Sequence, residues 1–251
     1  MLVAAVLAPR FRLLTALDER RELLKRPAAL APEPGAAQLI GETSGPAEAL
    51  GVRAGMRLGE ALSRCPELIL VTPDSERAER AWEQALRRLE SNLGAEVESE
   101  RPGEAFFGAD GLGGLWGGIE GVLLGARREA GMPVRLAAAP GRFCAYAAAT
   151  CARPRAGPGS QAGPVIVSGS GARHFLAPLP IALLSGRLLS PRPAHGGAWD
   201  AARDRAATGA DDLPNQLERL GVDTLGRLAD LPRDAVADRF GDLGLRALSL
   251  A

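Results

Sequence analysis

Arg101–Asp110 reads R-P-G-E-A-F-F-G-A-D, and the fold is worked outward from these ten residues. Pro102-Gly103 is a turn signal: proline presets φ, and glycine accepts a positive one. Upstream, Ala95–Arg101 alternates apolar with charged residues; downstream comes Ala105-Phe106-Phe107. Both flanks suit strands, so the stretch predicts a hairpin with Glu104 at its tip. A lone carboxylate beside a tight turn is ordinarily solvated, and its neighbours decide whether this one differs.

Upstream, Leu2–Leu7 is a continuous apolar run that predicts a buried first strand. Phe11–Leu24 follows with helix-compatible spacing, and Ala28–Ile40 has extended character. Met56, Leu58, Ala61, Leu62 and Cys65 set a helix that Pro66 stops. Leu68–Thr72 predicts a strand and Pro73-Asp74-Ser75 a helix start. Ala78, Ala81, Trp82, Ala85, Leu86, Leu89 and Leu93 then recur at helical spacing as a core stripe. Beyond the hairpin, Gly111–Gly118 predicts a loop; it lacks the Lys-Ser/Thr ending of a phosphate loop. Ile119–Glu129 predicts a helix, Pro133–Ala138 a strand, Arg142–Arg153 a helix and Val165–Val167 a strand. Together these give an α+β sheet with flanking helices. Ala156–Gly163 is a Gly/Pro-rich loop, and Pro191–Asp212 has the composition of a flexible insert. The last forty residues predict a helix at Asp223–Asp230, entered from Leu220-Gly221-Val222, and another from Pro232 to Phe240-Gly241. Such a turn between helices is either a packing unit or a backbone N–H site for phosphate.

Composition narrows the function classes. Thirty basic and thirty acidic side chains cancel, so polyanion contact must come from local patches. Cys65, Cys144 and Cys151 lack metal-site spacing and read as buried free thiols; His174 and His195 are the only histidines. The N-terminus is apolar first and basic after, the wrong order for a secretory signal, and no apolar run has the ~18 residues of a membrane span. A cytoplasmic location is expected.

In this order the pieces resemble a Y-family (translesion) DNA polymerase. Gly51–Met56 with Glu60-Ala61-Leu62 and Cys65-Pro66 is similar to that family's fingers motif. Glu104-Ala105-Phe106 resembles its palm hairpin, which normally reads Ser-Ile-Asp-Glu-Ala-Phe. Ala139-Pro140 and Ala152-Arg153-Pro154 bracket a similar helix. Phe175–Pro180 and Leu220-Gly221 through Leu231-Pro232 to Phe240-Gly241 resemble its thumb. The resemblance implies a palm at residues 1–11 and 67–168, fingers at 12–66, and a thumb of helix-hairpin-helix character at 169–251. It also implies that the family's little-finger domain is absent from this chain.

The same resemblance implies what has been lost. The family's reaction uses two Mg²⁺ ions about 4 Å apart, held by carboxylates and a triphosphate. With Phe11 at the sugar-discriminating aromatic, Val6 falls on the first-strand Asp. Gly103 stands at the second Asp, and only Glu104 survives. The nucleotide-binding Tyr-Glu-Ala-Arg becomes Gly45-Pro46-Ala47-Glu48, in which Glu48 repels phosphate; Asn-Lys becomes Gly141-Arg142, and a later Lys becomes Tyr146. This pattern resembles the non-polymerising ImuB-type members. It implies a bacterial, nucleoid-associated accessory factor in damage-induced mutagenesis, bridging a sliding clamp, a RecA-like protein and an error-prone polymerase. No cofactor is expected, and Mg²⁺ only with residual activity. Primer-template DNA would meet Arg219, Leu220, Gly221, Val222, Arg227 and Arg233. Two readings stay open beside it: an active polymerase whose ligands are Glu98, Glu100 or Asp110, and an interaction module that does not bind DNA.

Overall fold

The computed structural model describes residues 1–33, 35, 37–152, 163–188 and 212–251. The expected insert at Pro191–Asp212 and the loop at Ala156–Gly163 lie, but for their last residues, outside these.

Strand β1 (Leu2–Leu7) is the spine. Ala4, Ala5 and Val6 are fully buried, as an unbroken apolar run requires when both strand faces are covered. Helix α1 spans Phe11–Leu17. The longer helix expected over Phe11–Leu24 is corrected: Asp18 takes a left-handed φ of 51°, and a 3-10 turn at Arg21–Lys25 follows. The Asp18 carboxylate accepts from the Arg77 guanidinium, a long-range contact that turns the chain there.

Strand β2 (Ala28–Leu30) leads to the short helices α2 (Gly45–Ala49) and α3 (Leu58–Arg64), then to β3 (Ile69–Val71). β2 and β3 pair in parallel, Ala29 opposite Leu70, and make a two-stranded sheet of their own. This corrects the expectation that Leu68–Thr72 joins the main sheet. Ala29, Ile40, Ala47, Val52, Ala61 and Leu68 form the core beneath it.

Helix α4 (Ser75–Leu93) is capped by the Asp74 carboxylate, which accepts from the Arg77 amide at 3.0 Å. It buries Ala78, Trp82, Ala85, Leu89 and Leu93; Ala81 and Leu86, expected in the same stripe, are only partly buried. The hairpin follows as β4 (Val97–Arg101) and β5 (Glu104–Gly108). Gly111–Gly118 is not all loop: α5 makes one helical turn at Gly113–Trp116. Then come α6 (Ile119–Ala130), β6 (Arg135–Pro140), α7 (Arg142–Cys151) and β7 (Val165–Ile166). The main sheet runs β4-β5-β1-β6-β7, with β6 and β7 parallel. Cys65 and Cys144 are buried free thiols as expected; Cys151, last residue of α7, is exposed, a correction to the third.

The C-terminal part holds α8 (Ala172–Leu176), α9 at 212–219, α10 (Leu225–Ala229) and α11 (Arg233–Leu250). Thr224 caps α10, which is shorter than the expected Asp223–Asp230. Helix α11 does not stop at Phe240-Gly241; it kinks there, Gly241 taking φ 59°, and resumes to Leu250. By compactness the chain divides into one unit of Met1–Ala5, Phe106–Leu123 and Leu136–Ala251, and a second of Val6–Ala105 and Leu124–Arg135. Among the described residues no helix is long and apolar enough to cross a membrane.

Candidate functional site

The second unit brings together Val6, Phe11, Gly45, Glu48, Gly103 and Glu104. The end of β1 is tied to the hairpin turn, Ala8 donating its amide to the Gly103 carbonyl at 2.8 Å. Gly103 is buried with φ +94°, a conformation L side chains rarely adopt. A Cβ added there would lie 3.0 Å from the Phe11 Cβ and 3.2 Å from the Ala8 carbonyl oxygen. The glycine thus does more than lack a carboxylate: a side chain there would be strained in its backbone and would push Phe11 or the Ala8 carbonyl by a few tenths of an ångström.

Glu104 is the one carboxylate beside this turn. Its side chain is only 20% exposed, and the Arg101 guanidinium stands 3.6 Å away, so it is not the freely solvated group a turn tip suggests. Ser99 anchors the hairpin from below. Its hydroxyl donates to the Glu104 carbonyl at 2.7 Å and accepts from the Trp82 indole N–H at 2.8 Å. Trp82 packs its ring 5.2 Å from that of Phe11. Aromatic, hydroxyl and turn form one connected support.

Opposite them, Ser44 is fully buried and caps α2. Its oxygen accepts from the Ala28 amide at 2.9 Å and its hydroxyl donates to the Arg26 carbonyl at 2.7 Å, clamping the segment to β2. Glu48 on α2 pairs with Arg10 at 2.7 Å and accepts from the Thr43 hydroxyl at 3.2 Å. Arg10 also donates to the Thr43 carbonyl at 2.7 Å and holds a left-handed φ of 55° just before α1. The acidic residue therefore already has its cation. Arg10, Thr43 and Ser44 were not singled out from sequence; Thr43-Ser44 shortly before Pro46 is a helix-start signal that could have marked two of them.

Glu42 completes this region, accepting from the Leu13 amide at 2.9 Å. Burial pushes its carboxyl above the usual range, against the pull of the Leu13 amide and of Arg12 and Arg10. A carboxyl raised on folding takes its proton earlier in the native state, so native stability falls as pH rises upward from about 4.3, the unfolded value. Glu33 and Asp74 line the same cavity as Glu42 and Arg12. Glu42→Gln is expected to gain stability relative to the native chain between pH 4 and pH 7. Urea midpoints at the two pH values that change in parallel for both proteins would contradict this. Asp18 acts oppositely: Arg77 holds it low, so its contribution is lost only on further acidification.

Arg142, Tyr146 and the thumb-like segment lie in the first unit. Arg142 stacks 4.4 Å above the Phe106 ring, and Arg187 3.6 Å above Tyr146. In the thumb-like segment Leu220 is 47% exposed and Gly221 takes φ +83°. The amides of Leu220, Gly221 and Val222 donate to Leu217, Glu218 and Leu217 carbonyls respectively, closing the end of α9. Those donors are engaged within the turn, which leaves side chains to contact a phosphate. Arg219 and Arg233 are exposed; Arg227 bonds the Gly221 carbonyl at 2.9 Å and Asp223 at 3.2 Å.

A two-Mg²⁺ centre does not fit this donor set. Mg²⁺ demands several oxygen ligands in octahedral geometry, and the three matching positions offer a buried valine, a closed glycine and one glutamate beside Arg101. Among the described residues no three His, Cys, Asp or Glu side chains are grouped to hold a metal ion. Glu98 and Glu100 lie exposed on β4, alternating with Ser99, and Asp110 accepts from the Leu2 amide at 3.0 Å.

Residues 10–149, more than half of the chain, match the model of the impB/mucB/samB family. DNA polymerase IV of Pseudomonas entomophila (strain L48) is 27% identical over 236 residues, covering 91% of this chain and 57% of that protein. DNA polymerase IV of Dehalococcoides mccartyi (strain CBDB1) is 26% identical, covering 88% and 50%. The chain thus spans about half the length of these relatives. Among solved structures, DinB from Sulfolobus solfataricus superposes with a TM-score of 0.69 at 18% identity, over 100% of this chain and 67% of that one. An insertion ternary complex of Dbh DNA polymerase gives 0.64 at 18% identity, with the same coverage. The chain belongs to the impB/mucB/samB family and has the fold of the Y-family DNA polymerases.

Proposed function

We propose that this chain is a Y-family polymerase-like protein that no longer transfers nucleotides and serves as a DNA-binding accessory of the ImuB type in translesion synthesis and damage-induced mutagenesis. Palm, fingers and thumb are assigned to residues 1–11 with 67–168, 12–66 and 169–251. The observation that carries the reading is Gly103, whose φ of +94° strains any side chain and where a Cβ would stand 3.2 Å from a backbone oxygen, so a carboxylate there would have to be forced in. The Arg10–Glu48 pair supports it, since a guanidinium already bound to a carboxylate is a poor triphosphate ligand.

DNA would be held through phosphates by Arg219 and Arg233, Arg227 of the same segment being already paired with Asp223, with a sliding clamp, an error-prone polymerase and a RecA-like protein as assembly partners. Two phosphate contacts give log K a salt slope of about −1.8, so primer-template affinity should fall roughly 12-fold between 50 and 200 mM salt. Primer extension on undamaged and abasic templates, with Mg²⁺ and then Mn²⁺, is expected to show no product while low-salt binding persists. Extension that Glu104→Ala abolishes would make this an enzyme with relocated ligands. Absence of binding at low salt would leave only a protein-interaction module.

A further inference from the structure

A cavity of 420 Å³ opens within the second unit, between segment 37–42, Arg12 and the first turn of α4. Leu30, Leu39, Ile40 and Ala78 supply apolar wall, while Glu33, Glu42 and Asp74 supply carboxylates against the single guanidinium of Arg12. An adjoining hollow of 560 Å³ shares Glu33 and Asp74 and adds Glu76. Glu33 accepts from the Ser75 hydroxyl at 2.8 Å, Glu42 from the Leu13 amide at 2.9 Å, and Asp74 from the Arg77 amide at 3.0 Å. Those neutral donors orient the three carboxylates without cancelling their charge.

A cavity with apolar walls and an acidic rim complements a long side chain with a methylene stem and a cationic head. Carboxylates set at its edge suit a guanidinium, which donates in a fork. A polyanion is repelled by the same charges. The chain as a whole is neutral, so this negative potential is local to the cavity and owes nothing to a global field. We infer that the cavity docks a basic, aliphatic peptide segment of a partner protein, Arg or Lys stems lying on Leu39 and Ile40 and their heads reaching Glu33 and Asp74. The inference does not rest on the loss of nucleotide transfer, because it uses neither the hairpin turn nor the Arg10–Glu48 pair.

The test uses the full chain and a fluorescein-labelled acetyl-(Leu-Arg)₃-amide peptide, read by anisotropy at about 50 mM salt, beside its Leu-Glu counterpart and an oligo-dT of similar length. The Leu-Arg peptide should bind and its Leu-Glu counterpart should not, while oligo-dT held by phosphate contacts elsewhere on the chain should not compete with the peptide. Glu33→Gln with Asp74→Asn keeps the Ser75 contact and the helix cap while removing two charges, and should weaken the peptide about tenfold. Leu39→Ser should weaken it several-fold at any salt concentration. Glu83→Gln with Glu90→Gln, on the exposed face of α4, should leave it unchanged. Equal weakening by the two double variants would reduce the effect to general charge and overturn the assignment. Unchanged affinity in the cavity variants, or oligo-dT binding that they strengthen, would overturn it as well.

Discussion

Trp82→Ala is expected to lower the stability of the chain by roughly 3–5 kcal/mol, the usual cost of truncating a buried tryptophan, and its melting temperature by about 6–20 °C. Trp82 is 4% exposed and contributes in two separable ways. Its ring packs 5.2 Å from Phe11, joining α4 to α1. Its indole N–H donates to Ser99, whose own hydroxyl holds the Glu104 carbonyl, joining α4 to the hairpin. Trp82→Phe separates the two: it keeps most of the apolar area and leaves Ser99 without its donor, a loss of about 1–2 kcal/mol. Urea titration followed by circular dichroism measures both. A Trp82→Phe variant as damaged as Trp82→Ala would place the stabilisation in the hydrogen-bonded chain; one indistinguishable from the native protein would remove that chain from the account.

The elements legible in the sequence are those whose burial repeats along the chain. Leu2–Leu7 is apolar throughout because β1 is covered on both faces. The α4 stripe is visible because five residues at helical spacing all meet the core. Asp74 reads as a cap because it acts three residues along the same segment. What was illegible depends on distant partners. α1 stops at Leu17, and Asp18 just beyond it meets Arg77, 59 residues on. β2 and β3 are three-residue strands whose pairing no local period announces. Glu48 read as a phosphate repellent on its own; Arg10, 38 residues earlier, shows that its charge is matched inside the protein. The turn at Leu220–Val222 read equally as packing unit or phosphate site, and only the closure of its three amides on α9 separates these for the backbone.

Gly103 is where sequence and structure give different strengths of argument, and its substitution is the other large expected effect. Sequence says that a carboxylate is missing, which reads as a loss that one substitution repairs. The structure says that Gly103→Asp damages the turn instead. Gly103→Ala is expected to cost about 1–2 kcal/mol for a left-handed residue and a further 1–3 kcal/mol for crowding Phe11 and the Ala8 carbonyl. Gly94→Ala is the control: its φ is +68°, but a Cβ there meets nothing within 4 Å, so only the conformational cost of about 1–2 kcal/mol should appear. Gly103→Asp adds a charge facing a carbonyl oxygen and should be worse than alanine. Paired with Val6→Asp, which buries a second carboxylate in a fully enclosed strand position, it should yield a chain that fails to fold before it regains chemistry. A Gly103→Asp protein as stable as the native one and active with Mn²⁺ would sink this argument. A side chain at residue 103 crowds Phe11 and the Ala8 carbonyl, so recovering a metal centre asks one of these to give as well as the turn to bear the strain.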